Sequence, residues 1–330
     1  MSALWREVGE HGPIARAMMS NLVVFRRAHA AKPHAAAIDE ALSDIPVTAV
    51  AARHPCRAIV IDHEEIEATQ SVSADVGIVA FGPPSARYGI EQIAMRAACP
   101  MASLPSIVRR LVRGDLPTSV WWADDLSRVA PAAPIVTMSR QLVYDSRRWR
   151  DVRRGALALA PYVTGRDAFT RPAERTVTGP RLVDLADVNW RRLHPVRRAL
   201  IVASDASNVA VWQSSNIRIT HRPGDSALAW LLAGWLASRL DWSEAAPPRI
   251  EEMRRSDDVL CIAIGEGAAE TRVTLDRARV LVTRAGSPPS TIGVPREGEA
   301  DAVAAELHAL AHDACLHDAL SALLRVFRAA

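Results

Sequence analysis

The chain has 330 residues, 49% hydrophobic and 23% charged, so it can bury more than one core and does not have the composition of a disordered or fibrous protein. Its formal net charge of +3 is mild and its acids are interspersed with arginines, which excludes a dedicated nucleic-acid binder. No uncharged apolar run of about 18 residues is present, which excludes a helical membrane span.

In chain order, residues 2–20 predict an amphipathic helix and Asn21–Phe25 a short strand. A second helix is expected between Pro33 and Ala52, interrupted at Pro46, before a strand over Arg57–Asp62. Thr69–Phe81 alternates apolar and polar residues, predicting a half-buried strand that Gly82-Pro83-Pro84 ends, and Ile90–Ala98 is expected to pair with it. Leu104, Ile107, Val108, Leu111 and Val112 then recur at helical spacing, with arginines opposite. Gly114 stops that helix, Pro117 biases the chain towards an extended path, and Thr118–Trp122 is β-branched and aromatic. Helix, tight turn, strand is the expectation, with Trp121 and Trp122 on opposite sheet faces; either both faces are covered or one indole reaches the surface. Gln141–Ser146 reads as the last strand of this half and Arg147–Ala160 as a basic helix.

Tyr162–Pro180 lacks an apolar period, so the expected division is an N-terminal domain over 1–162, a linker over 163–180 and a C-terminal domain over 181–330. Beyond the linker, Asp184-Leu185-Ala186-Asp187 is expected to open a helix that includes Trp190 and Leu193, and Val209–Thr220 alternates as a strand. Ser226–Leu240 is the clearest helix, with Ser226 available as its cap. Strands are expected over Val259–Ile264, Thr271–Leu275 and Arg279–Thr283, and helix over 299–328. The fold class predicted is α/β for the first half, a mainly parallel mixed sheet with flanking helices, followed by an α+β half with an antiparallel sheet.

Catalytic motifs are missing. Gly265-Glu266-Gly267 is a lone GxG that reads as a hairpin turn, and there is no phosphate-binding P-loop, GxSxG elbow or HExxH. His63-Glu64-Glu65 reads as a polar loop. His308, His312 and Cys315 have the spacing of one helical face, but a packing face accounts for it better than a metal without a fourth ligand. Cys56, Cys99, Cys261 and Cys315 form no CxxC pair, which argues against structural zinc and a disulfide scaffold. The segment MSALWREVGEHG has no signal-peptide core, and the expected setting is the reducing cytoplasm. Lys32 is the only lysine; the clusters Arg147-Arg148, Arg153-Arg154, Arg191-Arg192 and Arg197-Arg198 are either solvated helix faces or a surface for acidic groups.

The segment Gly114–Trp122, GDLPTSVWW, resembles the DLPVFLWW signature of the OpcA family of glucose-6-phosphate dehydrogenase assembly proteins. Asn21–Val24, His54–Ile61, Val143–Ser146, Asp187–Leu193 and Leu231–Trp242 match other blocks of that family in the same order. The resemblance implies a protein without catalytic activity or cofactor that binds glucose-6-phosphate dehydrogenase and promotes its assembly or active state. Partner contacts are expected at Asp115, Pro117, Trp121, Trp122, Asp187, Trp190, Arg191 and Arg197, since tryptophan and arginine are enriched at interface hot spots. The rival expectation is a sugar-phosphate-binding module or enzyme that uses arginines for phosphate.

Overall fold

The computed structural model describes residues 2–10, 14–27, 45–67, 71–163, 183–204, 212, 216–240, 248–253, 257–267 and 270–329. The first sheet is 8-stranded: β1 (Ala15–Arg16), β2 (Ser20–Arg27), β3 (Cys56–Glu64), β4 (Ser71–Phe81), β5 (Tyr88–Ala98), β6 (Thr118–Trp122), β7 (Gln141–Tyr144) and β8 (Asp184–Asp187). Its parallel core runs β5-β3-β2-β6-β7-β8, with β4 antiparallel on β5 as the edge. Numbered by appearance, those core strands follow the 3-2-1-4-5-6 order of doubly wound dinucleotide-binding sheets.

Central strands of such a sheet are covered on both faces and therefore read as unbroken apolar runs, as Leu22–Phe25 and Ala58–Ile61 do. Phe25, Ile59, Trp122 and Tyr144 belong to one core with the helices Leu104–Leu111 and Val152–Val163. Val24, Val60, Trp121 and Val143 belong to a second core, under the helices Val47–Arg53 and Glu299–Ala309. Both faces are thus covered, and both indoles of the Trp121-Trp122 pair are fully buried. At the far edge, Glu91 is wholly buried and accepts from Trp5 Nε1 (2.8 Å) and from the guanidiniums of Arg16 and Arg57, which ties the helix Ser2–Glu10 and β1 to the sheet.

The second sheet is 6-stranded, in the order β10-β9-β11-β12-β13-β14, from β9 (Ile217–His221), β10 (Arg249–Glu252), β11 (Leu260–Ile264), β12 (Thr271–Leu275), β13 (Arg279–Arg284) and β14 (Ser287–Gly293). All its pairs are antiparallel except β10 with β9, which the helix Ser226–Leu240 connects. That helix is apolar around most of its circumference and packs against the helix Ala314–Ala329 and against β9 and β10 of the second sheet, in the core that also holds Ile219 and Ile262.

Several expectations are corrected. Asp184–Asp187 is a strand hydrogen-bonded to β7, and the helix starts only at Val188, so β7 is not the last strand of the first sheet. The helix expected over 2–20 ends at Glu10. β4 is exposed over Ser71–Val76 rather than half-buried along its length, and the helix Ser2–Glu10 reaches it near Ile78. His63 and Glu64 end β3 rather than lying in a loop. The C-terminal helix is two, broken at Leu310, which adopts a left-handed conformation (φ 41°). The expected linker falls, apart from Val163, outside the described residues, as do 28–44 and, apart from Trp212, 205–215. The Gly265 and Gly267 turn that follows β11 has positive φ at both glycines, as a tight reversal requires.

Gly234 marks the closest helix contact: a Cβ there would meet the Ala319 carbonyl oxygen nearer than real Cβ atoms come, so the helices Ser226–Leu240 and Ala314–Ala329 pack backbone to backbone. Gly234→Ala is expected to cost about 1–3 kcal/mol by overpacking, and Leu232→Ala about 2–5 kcal/mol by opening a cavity. Arg239→Ala, on the exposed side of the same helix, is expected to cost far less. Denaturant unfolding of the three variants checks the ranking; a Gly234→Ala protein as stable as the parent would show that the helices can separate freely.

Candidate functional site

In a doubly wound sheet the ligand crevice lies at the carboxyl ends of the strands, where the strand order reverses, here between β2 and β6. Phe25 and Trp122, register partners across that point, stack with ring centroids 4.0 Å apart and are fully buried. The Arg27 N–H, which follows, donates to Asp124 Oδ2 (2.6 Å), and Ala123 N–H donates to the Phe25 carbonyl (2.9 Å). No glycine occurs between Ser20 and Arg53, so the close backbone approach of a phosphate-binding turn has no residue to allow it. A carboxylate, not a glycine turn, meets the N–H group at the carboxyl end of β2.

The predicted site residues separate into two groups. Asp115 and Pro117 lie at the amino end of β6, with Asp115 exposed and 3.7 Å from Arg113 Nε. Trp121, Trp122 and Asp187 lie at the carboxyl ends, the opposite edge of a parallel sheet. The indoles of Trp121, Trp122 and Trp190 are all buried, so of the two alternatives for the Trp121-Trp122 pair it is the covering of both sheet faces that the structure shows.

What the carboxyl ends carry is a polar network. Trp122, Tyr144 and Asp187 are register neighbours across β6, β7 and β8. Asp187 Oδ1 accepts from Ser146 N (3.1 Å) and Asn189 N (2.9 Å), capping the short helix Val188–Arg191 and holding it to the turn after β7. Asn189 Nδ2 donates to Ser146 Oγ (3.0 Å), and Asn189 Oδ1 accepts from Arg192 Nη1 (2.9 Å). Arg192 continues to Asp225 Oδ1 (2.7 Å), whose Oδ2 takes Arg222 (2.8 Å), beyond the end of β9. A continuous chain of hydrogen bonds therefore links the first sheet to the second. Burial, with the neighbouring charge of Asp145, pushes the Asp187 carboxyl up to about 7, and Asp187 Oδ2 and the Tyr144 hydroxyl have no hydrogen-bond partner among the described residues. Burial first, and then Asp187, keep Tyr144 neutral, well above its ordinary range.

The next residues reach the C-terminal helices. Trp190 Nε1 donates to Asp313 Oδ2 (2.7 Å), and the Arg197 guanidinium lies 3.9 Å from the Trp190 ring centroid. Arg191 forks onto Glu297 (2.9 and 2.7 Å) and reaches Glu306 (2.9 Å); these carboxylates hold its guanidinium above its ordinary range. Asp187, Trp190, Arg191 and Arg197 are thus brought together, but for an internal join that spacing alone did not reveal. The acids that complete it, Asp225, Glu297, Glu306 and Asp313, are distant in sequence and unmarked by any motif.

His308, His312 and Cys315 do not share a face, because the helix breaks at Leu310. His308 packs towards His54, His312 Nδ1 is 3.5 Å from Asp184, and Cys315 faces Arg239. No group of three metal-ligating residues is poised to hold an ion among the described residues. The cysteines are free, and burial drives the Cys56 thiol up to about 12, which removes its nucleophilic form.

The comparisons with known proteins bear on the whole chain. Residues 47–160 match the family described as glucose-6-phosphate dehydrogenase subunit N-terminal domain, and residues 183–320 match the corresponding C-terminal domain. Among curated proteins, the OxPP cycle protein OpcA of Synechocystis sp. is 26% identical over 203 residues, 59% of this chain and 39% of that protein. Its namesake from Nostoc punctiforme is 25% identical over 251 residues, 74% of this chain and 48% of that protein. The matches therefore span less than half the length of either relative. Among solved structures, a super-repressor mutant of Gal80p from Saccharomyces cerevisiae aligns over 96% of this chain and 95% of its own, at 9% identity and a TM-score of 0.40, too distant to carry an argument.

The Asp187 carboxyl yields a pH test. The folded chain holds a proton there that the unfolded chain releases near 3.8, so this contribution to stability is fully present below about pH 4 and is lost as pH rises towards 7. The loss is at most about 1.4 kcal/mol per pH unit. In Asp187→Asn the remaining oxygen can still accept both N–H groups, so the variant is expected to show a flatter stability profile over that window and to match or exceed the parent at its upper end. Chemical denaturation across the window checks this; identical slopes would mean that Asp187 is ionised in the folded chain.

Proposed function

Because the chain belongs to the OpcA family, we propose that it binds a glucose-6-phosphate dehydrogenase and promotes that enzyme's assembly or active state in the oxidative pentose phosphate pathway, in the cytoplasm and without catalysing a reaction itself. The observation that carries the partner is the tandem match: both halves of the chain align, in order, with the two domains of a dehydrogenase subunit. The buried stack of Phe25 and Trp122 at the switch point, with no glycine between Ser20 and Arg53, supports a binding role over nucleotide-dependent catalysis.

The contact surface follows from exposure. Trp121, Trp122, Trp190 and Asp187 are buried, and Arg191 and Arg197 are engaged with neighbouring side chains, so we assign them to folding. Of the predicted contact residues, Asp115 and Pro117 remain, at a turn that follows the exposed Arg109 and Arg110 on the helix Leu104–Leu111. This edge of the sheet, inside the GDLPTSVWW block, is the part we assign to the dehydrogenase.

The deciding measurement is the activity of the cognate dehydrogenase with and without this protein, together with their co-elution. Asp115→Arg and Arg110→Glu are expected to leave the melting temperature unchanged and to weaken binding of the enzyme by about tenfold or more, the effect of about 1.4 kcal/mol at a contact residue. Trp121→Ala, Trp122→Ala and Trp190→Ala are expected instead to destabilise the fold by about 3–5 kcal/mol. An enzyme whose activity and elution are indifferent to the wild-type protein would overturn the reading; full binding by Asp115→Arg and Arg110→Glu would move the contact elsewhere.

A further inference from the structure

A cavity of about 400 Å³ lies where the two sheets meet, and arginines dominate its lining. They come from separate segments: Arg147 from the turn after β7, Arg192 from the end of the capped helix, Arg222 from the end of β9, Arg277 from the β12–β13 turn and Arg296 from the approach to the helix Glu299–Ala309. Five cations brought together at one place repel one another, so an arrangement that serves folding alone would pair each with a carboxylate.

That pairing is incomplete. Arg147 is held by Asp145 through Nε and Nη2 (2.9 and 2.6 Å). Arg192 and Arg222 share the single carboxylate of Asp225, which is buried. A guanidinium has five N–H donors, and each of these uses only part of its set on the carboxylate. Arg277 and Arg296 have no ion-pair or hydrogen-bond partner among the described residues. The cavity's own carboxylates are committed elsewhere: Glu297 to Arg191, and Asp276 to the N–H groups of Ala278 and Arg279 (2.7 and 2.8 Å). The result is an excess of positive charge, part of it fixed in direction by buried acids, on a concave surface. The remaining wall is apolar, from Val259, Leu275, Val294 and Pro295.

Forked donors preset by a second layer of carboxylates suit phosphate, which accepts two parallel N–H bonds from one guanidinium. The volume falls in the range of small-ligand sites, and the apolar wall offers a surface to a ring. We propose that this cavity binds a small phosphorylated metabolite of sugar-phosphate size, its phosphate among Arg192, Arg222, Arg277 and Arg296. A ligand there touches the turn after β7, the end of the helix Val188–Arg191, the second sheet with its turns and the approach to the helix Glu299–Ala309, so its binding favours one relative arrangement of those elements. The proposal is independent of the dehydrogenase partnership, because binding is read on this chain alone.

The experiment is calorimetric titration of the full chain with a hexose 6-phosphate at moderate salt, with the free hexose and inorganic phosphate as comparison ligands. Saturable binding of the hexose phosphate is expected, with weaker competition by inorganic phosphate and none by the hexose. Arg277→Ala/Arg296→Ala removes two exposed side chains without partners, so its melting temperature should match the parent while its affinity falls at least about tenfold. Arg153→Ala/Arg154→Ala, with the same charge change away from the cavity, should retain the parent's affinity. Absence of saturation in the millimolar range, or equal affinities in the parent and the Arg277→Ala/Arg296→Ala variant, overturns the proposal. Binding of a glutamate-rich peptide with none of the phosphates also overturns it, and gives the cavity to an acidic segment of a protein partner.

Discussion

The buried carboxyl of Asp187 is the point on which the rest of the structure depends. It ends β8, caps the helix that follows and accepts from the turn after β7, so the last two strands of the parallel sheet cannot separate without leaving polar groups unpaired in the interior. Through Asn189 and Arg192 the same turn reaches Asp225 and the second sheet, and through Trp190 and Arg191 it reaches both C-terminal helices. Apolar burial supplies the bulk of the stability, but it is indifferent to small rotations of one layer against another. A directional network through one turn selects the arrangement.

The sequence revealed the elements whose burial pattern is simple. The unbroken apolar runs of β2 and β3 and the helix Ser226–Leu240 read directly, because residues covered on every side leave no polar positions in the pattern. β8 did not, since Asp184 and Asp187 bracket only two apolar residues and Asp187 is a helix cap as well as a strand end; the same aspartate signals both. β14 was missed because Pro288 and Pro289 argue against a strand, yet it lies at a sheet edge, where a missing N–H is tolerated. The break at Leu310 carries no glycine or proline to mark its left-handed backbone, and the Arg140 side chain that reaches its carbonyl is distant in sequence.

The candidate site was legible in part, and for a physical reason. Trp190, Arg191 and Arg197 were singled out because large amphipathic side chains with many donors concentrate binding energy. That property is the same whether the partner is another protein or another part of the same chain. What distinguishes the cases is the position of the complementary acids, and Glu297, Glu306 and Asp313 lie more than a hundred residues away. Asp115 and Pro117 differ because a turn between a helix and a parallel strand is at the sheet's amino end, where the described residues leave Asp115 exposed and Pro117 half-buried.

At the switch point between β2 and β6 this chain places the buried stack of Phe25 and Trp122 and the Asp124 carboxylate, and that bears on where ligand chemistry can reside. The Asp124 carboxylate beside that point disfavours an anion there, while the guanidiniums of Arg277 and Arg296, which have no partner among the described residues, favour one in the arginine-lined cavity. The second position differs from the first in one consequence. A ligand at a switch point touches the ends of strands already fixed in one sheet, whereas an anion in the cavity contacts the turn after β7, the end of the helix Val188–Arg191, the second sheet with its turns and the approach to the helix Glu299–Ala309. Its binding energy is then available to bias how these layers sit together, which is what a protein that acts by holding another in an active assembly can use.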